Sequence, residues 1–475
     1  MKYYLQKMLQ YNKKVLGCSF LLSFIITMLN INGNSKKDLL MLFSATFLLL
    51  NEIYLSFKDV KKSVLLFLIS LPFFVTARKF VQIDFFIFKI SFETIYISII
   101  FIYNIKNIFI NIKNKLKTGN KNTFKFYILT FIFVLFVYNS NVYSVYFWKS
   151  MTDTYLGVFT PIMFMLIIIT LFDQNDIKNL LYSVIFSVNL SCLYGFIQIF
   201  KDGISLHNIN KNRALLTFGY HNVNIFAGIL VTVMPFVLEY ILYNKNSKAE
   251  KRFFYSSLFI QIIALLITFT RGAWLSALIA LFLILISKKY KKLVIIMVII
   301  GAILIKPAMS FILTRGNNVS SFLENESSIA RIQSIYTDAR IIKDYPFGVG
   351  MSSFPEYYKE FATRGYLMMP QELRWKVKAA HYMLEHAHNL ILQIGVEFGL
   401  ISLLIYILLM LNRVKVVFKD YSKNRGLFVS LITYIIFSTL TGNEFNHKGV
   451  ITGTIIIFLV LGLIEINNCK GRINN

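Results

Sequence analysis

The chain reads as an all-α, polytopic membrane helix bundle of about 14 (12–14) transmembrane helices, with one long outer loop carrying surface-lying helices. Three observations predict this class. The 475 residues are 56% hydrophobic and 15% charged, with a mean hydropathy of +0.61; soluble domains carry about 25% charged residues. The apolar residues come in runs of about 16–23, enough to cross a hydrocarbon core of ~30 Å. The basic residues concentrate in every second connection between those runs.

In chain order the runs are 15–32, 39–56, 63–77, 90–105, 126–140, 156–173, 180–200, 223–243, 253–270, 273–287, 293–312, 389–411, 427–442 and 450–466. The third to fifth are short or interrupted, which leaves the count open between residues 60 and 140. The N-terminal stretch "MKYYLQKMLQYNKK" is basic, and no small-residue cleavage site follows it. It therefore reads as the flank of a first span and not as a signal peptide. With that end inside the cell, the alternating inner segments hold 29 of the 50 Lys and Arg, and the short outer ones hold 11. Basic residues are retained on the cytoplasmic side, so both termini are predicted to be cytoplasmic. The chain then divides into N-terminal transmembrane helices (1–200), further transmembrane helices (201–312), a long extracytoplasmic loop (313–388) and C-terminal transmembrane helices (389–475).

The net charge of +27 does not indicate a nucleic-acid partner, because it lies in short loops between spans, where it sets topology. Cys18, Cys192 and Cys469 are scattered and form neither a disulfide framework nor a zinc signature. Within the long loop, Ile329, Ile332, Ile335 and Ile342 recur at roughly helical spacing, so a surface helix is predicted there. Pro346 ends it, and "PFGVGMSSF" reads as a turn.

The polar residues at the predicted outer membrane edges are the candidates for chemistry. Arg271 sits in a tight turn between two apolar runs, where an ionisable side chain is a functional candidate; a boundary-marking, snorkelling arginine is the alternative. Arg213 precedes "FGYHNVN", which suits an anion-binding helix N-terminus, although it also fits a solvated loop. Two arginine forks on separate segments suit a phosphate or pyrophosphate. His381, His386 and His388 make up half of the six histidines. They admit three readings: water-facing interfacial groups, a metal site of His381, Glu385 and His388, or a general base. No familiar zinc spacing is present, and no metal or cofactor is predicted.

Four stretches in order carry a resemblance: Arg213 with "FGYHNVN", then "TFTRGAWLSALIA", then "RIQSIYTDARIIKDYPFGVGMSSF", then "HAHNLILQIGVEFGLISLL". Together, over roughly residues 205–412, they resemble the O-antigen ligase and polymerase family of integral membrane glycosyltransferases. The resemblance implies a metal-independent, inverting enzyme of the bacterial cytoplasmic (inner) membrane, working on its periplasmic face. The implied donor is a glycan on undecaprenyl pyrophosphate, and the implied acceptor is lipid A–core or another lipid-linked glycan. It implies that Arg213 and Arg271 hold the donor pyrophosphate and that His388 is the base. Asn389, His386, Arg331 and Arg340 are supporting candidates, the two arginines also being suited to lipid headgroups. The ten residues between His388 and Gly399 tilt the reading to a ligase over a polymerase. Val223 stands where the family often has Pro. A flippase for lipid-linked glycans is the competing class; paired halves with broken mid-membrane helices would mark one, and no such internal symmetry is visible.

Overall fold

A computed structural model of the protein describes residues 13–31, 34–202, 213–286, 288–295, 326–374, 383–442, 445 and 450–468. The bundle begins with α1 (Lys13–Leu29), α2 (Lys36–Ser56) and α3 (Val60–Ala77). A small antiparallel hairpin follows, β1 (Ile83–Phe85) with β2 (Phe88–Ile90), pairing Asp84 with Lys89. Next come α4 (Phe92–Tyr103), α5 (Ile105–Thr118), α6 (Lys121–Ser140) and α7 (Phe147–Thr154). A single π-turn, Tyr155–Phe159, joins α7 to α8 (Thr160–Leu171). Then follow α9 (Ile177–Asp202), α10 (Val223–Tyr243), α11 (Lys248–Ile267) and α12 (Arg271–Leu285). The long loop contributes α13 (Glu326–Asp344), α14 (Phe354–Met368) and the single turn α15 (Gln371–Arg374). The chain closes with α16 (Leu390–Lys419), α17 (Arg425–Thr441) and α18 (Thr452–Asn468).

Many of these helices start where a short polar side chain caps them. Ser35, Asp59, Asn120, Asn222 and Asn389 each accept a backbone N–H of the first turn. Ser91 and Ser247 form reciprocal capping boxes with Thr94 and Glu250. Each such bond satisfies a backbone donor that the helix itself leaves open. α10 is buried on nearly every face, from Val223 to Tyr240, and serves as the central post. α17, α11, α12 and α18 surround it.

Every predicted run except 293–312 falls on a helix; most of that run lies outside the described residues. The predicted number of spans is not confirmed. Among the described residues, seven helical stretches are long and apolar enough to cross a membrane, and a bent pair makes an eighth candidate. Four shorter apolar helices, including Arg271–Leu285 and Arg425–Thr441, accompany them. The bent pair is α4 with α5, which meet at 70°. At 1.5 Å per residue α4 rises only about 18 Å, short of a bilayer core. α5 has only Ile108 buried and carries Lys115 and Lys117 in its last turn.

The long loop differs from its sequence pattern in one respect. α13 forms and stops before Pro346, and Ile329 is buried with Ser328 and Ala330, but the rest of its buried face is Gln333, Ser334, Thr337, Asp338 and Ile341, while Ile335 is half exposed. The helix packs against α14 and α16, so its small and polar side is inward. Small side chains let helices approach closely and hydrogen-bond, and here that outweighs the isoleucine periodicity.

Candidate active site

Two groups of predicted residues gather at one end of the bundle. The first surrounds the turn between α11 and α12. Arg213, half-buried in a short 3-10 turn (Arg213–Leu215), donates from Nε to the Thr268 carbonyl at 2.7 Å. Its Nη2 donates to Asn224 Oδ1 at 2.6 Å and to Thr270 Oγ1 at 3.1 Å. Thr270 Oγ1 also donates to Asn224 Oδ1 at 3.0 Å. These bonds join the segment before α10 to the turn that launches α12, and they bring Arg213 beside the backbone leading into Arg271. The turn is tight: Phe269 has φ 47°, and Trp274 Nε1 donates back to the Leu265 carbonyl at 2.9 Å.

Arg271 is the first residue of α12 and is half-buried. A cation at this end opposes the helix dipole, at a cost of roughly 0.3–1 kcal/mol. The arrangement therefore ties Arg213 to the turn from which Arg271 opens α12, and a helix N-terminus there favours a bound anion. The following Gly272 has no room for a side chain; a Cβ there would lie 2.2 Å from Thr441 Oγ1. That close approach fixes α12 against the end of α17.

The second group lies where α16 begins. Asn389 caps this helix, its Oδ1 accepting from Ile391 N at 2.9 Å and Leu392 N at 3.2 Å. His388, just ahead, is half-buried and has φ 53°, a left-handed conformation uncommon for a residue with a Cβ. Its ring lies 4.1 Å from that of His386, centroid to centroid. Arg331, on α13, faces the imidazole electrostatically. Loss of hydration and that neighbouring positive charge push His388 down to about 4. The imidazole is then neutral, and able to accept a proton, throughout the physiological range. Arg340, nine residues along α13, instead pairs with Asp344 at 3.0 Å near the surface. His381 lies outside the described residues.

The segment after α13 holds the start of α16 in place. α16 is broken at Gly399 (φ 85°, ψ 170°), which frees the Val396 and Glu397 carbonyls. Val349 N and Gly350 N donate to them at 3.0 and 2.9 Å, and Leu400 N donates to the Pro346 carbonyl at 2.8 Å. Gly348 and Gly399 meet backbone to backbone, a Cβ on Gly348 falling 2.6 Å from Gly399 N. The "PFGVG" stretch is thus a plug in a broken helix. Beyond it, Ser352 N donates to Glu397 Oε1 at 2.9 Å, and Ser352 Oγ donates to the buried Asp153, which also pairs with Lys89 of the hairpin.

Of the predicted residues, Arg213, Arg271, Arg331, His386, His388 and Asn389 fall in these two groups, and Arg340 stands apart from them. Both groups adjoin α17: Gly272 touches its last residue, and α16 packs along it. The residues missed are those behind the site: Thr268, Thr270, Ser334, Asp338 and Gln393. For Gln393 a signal existed, since it stands with Glu397 one turn apart in an otherwise apolar run. Residues 256–407 match the family model described as O-antigen ligase. That span runs from α11 into α16, taking in Arg271, Arg331 and His388 and leaving Arg213 outside. No curated protein matches the chain.

Proposed function

With an O-antigen ligase domain spanning residues 256–407, we propose that this membrane protein transfers a glycan from undecaprenyl pyrophosphate to a hydroxyl of a lipid A–core acceptor. The site then works on the outer face of the bacterial cytoplasmic membrane. Arg213 and Arg271 bind the donor pyrophosphate. His388 takes the proton of the acceptor hydroxyl as its oxygen attacks the anomeric carbon. The bond from that carbon to the pyrophosphate breaks, and undecaprenyl pyrophosphate leaves with its charge held by the two guanidiniums. One displacement inverts the anomeric centre. This differs from the paired carboxylates of glycosidases.

The observation that carries this reading is the half-buried His388 at the mouth of α16, at the same end of the bundle as Arg213 and Arg271. Burial, with Arg331 adding to it, keeps the imidazole unprotonated before substrate arrives. An anionic donor would offset that field and make the base stronger when it is needed. A polymerase of the same family would use the same groups, with a lipid-linked repeat unit as acceptor.

Replacing His388 by Ala in the native host tests the proposal. Loss of long-chain surface glycolipid with accumulation of lipid-linked polymer is the expected result. Loss of polymer with single repeats still transferred would point to the polymerase. An unchanged glycolipid ladder would remove His388 from the chemistry.

A further inference from the structure

His388 holds a left-handed backbone that few residues with a Cβ adopt, and such conformations persist only where the surroundings over-determine them. The residue before it, Ala387, is gripped at both polar ends. Its N–H donates to Gln393 Oε1 at 2.7 Å. Its carbonyl is reached by Ser334 Oγ at 3.4 Å, and the same hydroxyl lies 2.8 Å from Asp338 Oδ2. Ser334 and Asp338 are wholly buried on the inner face of α13, and Gln393 is nearly so on the first turns of α16.

We propose that Ser334, Asp338 and Gln393 are positioning residues that hold His388 in its working orientation through the Ala387 N–H and carbonyl. This rests on His388 being the base.

A count of protons defines the state of the relay. A serine hydroxyl carries one proton. If that proton goes to Asp338, the Ala387 carbonyl receives nothing from Ser334. If Asp338 is a carboxylic acid, it donates to Ser334, and Ser334 donates to Ala387, so both contacts are made. The second oxygen, Oδ1, is buried with no hydrogen-bond partner among the described residues. A charged oxygen in that position would be far more costly than a neutral one. The relay is therefore set with Asp338 protonated. An amide in place of the acid keeps a donor to Ser334, whereas an apolar side chain does not.

The test uses native membranes carrying the full-length protein, supplied with lipid-linked glycan extracted from the host. Ser334→Ala, Gln393→Leu and Asp338→Leu are expected to lower the maximal transfer rate by about 10- to 100-fold, as small misplacements of a catalytic group do. The half-saturating donor concentration should stay within about twofold, because the donor site is untouched. Asp338→Asn should remain within about threefold of the wild-type rate. A wild-type rate for Ser334→Ala, or an Asp338→Asn as slow as Asp338→Leu, would overturn the relay; so would a loss expressed in half-saturation alone. If Asp338→Leu does not accumulate in the membrane, Ser334→Ala and Asp338→Asn still decide. His388→Ala separates the two levels. An inactive His388→Ala beside fully active Ser334→Ala and Gln393→Leu defeats the positioning role alone. An active His388→Ala defeats the base assignment and the positioning role with it.

Discussion

At the scale of single residues, the field around His388 sets how readily it takes a proton. Its proton affinity is pushed down to about 4 by desolvation and by Arg331. On the acid side, kcat/KM should therefore fall with an apparent pKa near 4, and kcat with a higher one, because the proposed donor is anionic. Arg331→Gln should move the kcat/KM limb upward, since it removes a cation beside the imidazole. Arg340→Ala should leave it in place, because that guanidinium pairs with Asp344 near the surface. Folding is linked to the same proton: the imidazole takes a proton more readily in the unfolded chain. Stability should thus decline as pH falls from about 6.5 toward 4, by an amount that His388→Gln abolishes. His388 and the two arginines were legible because charged or basic side chains at the edges of apolar runs are conspicuous. Ser334 and Asp338 were not, because nothing in the isoleucine spacing of α13 marks its polar side as buried.

At the scale of elements, the broken α16 and its plug are the main surprise. "PFGVG" could be recognised as a turn from its composition. That it inserts into a gap 50 residues further on could not, since nothing local in "VEFGL" says that Gly399 stops a helix in the middle of an apolar run. The evidence lies in the pairing: Gly348 and Gly399 both have φ near 85°, and each occupies the space the other's Cβ would need. Gly348→Ala or Gly399→Ala should cost about 2–5 kcal/mol, combining the left-handed backbone penalty with overpacking. A lowered thermal midpoint in detergent, with activity lost in step, checks this. An unchanged midpoint would mean that the plug is not seated in the break.

At the scale of the whole molecule, the two ends of the bundle differ in kind. The end with His388 gathers the predicted site residues, while the far end of α16 is locked. There Arg413 and Glu465 are both wholly buried and paired at 2.6 Å. Arg413 also donates to the Asn122 carbonyl at 3.0 Å and stacks over Phe126 at 4.1 Å, tying α6, α16 and α18 together. Removing either partner should cost about 3–5 kcal/mol, and replacing both with Met and Leu should cost much less. Composition and the spacing of apolar runs were enough for the helical class. The number of full spans was not, because hydropathy cannot tell a crossing helix from one that bends, as α4 does into α5. His388, as proposed, activates the acceptor. The most direct measurement is the transfer rate of purified full-length protein, supplied with lipid-linked glycan and acceptor, for wild type and His388→Ala. A fall of about 10²–10⁴-fold with donor binding retained is the predicted result. A rate equal to wild type would contradict it.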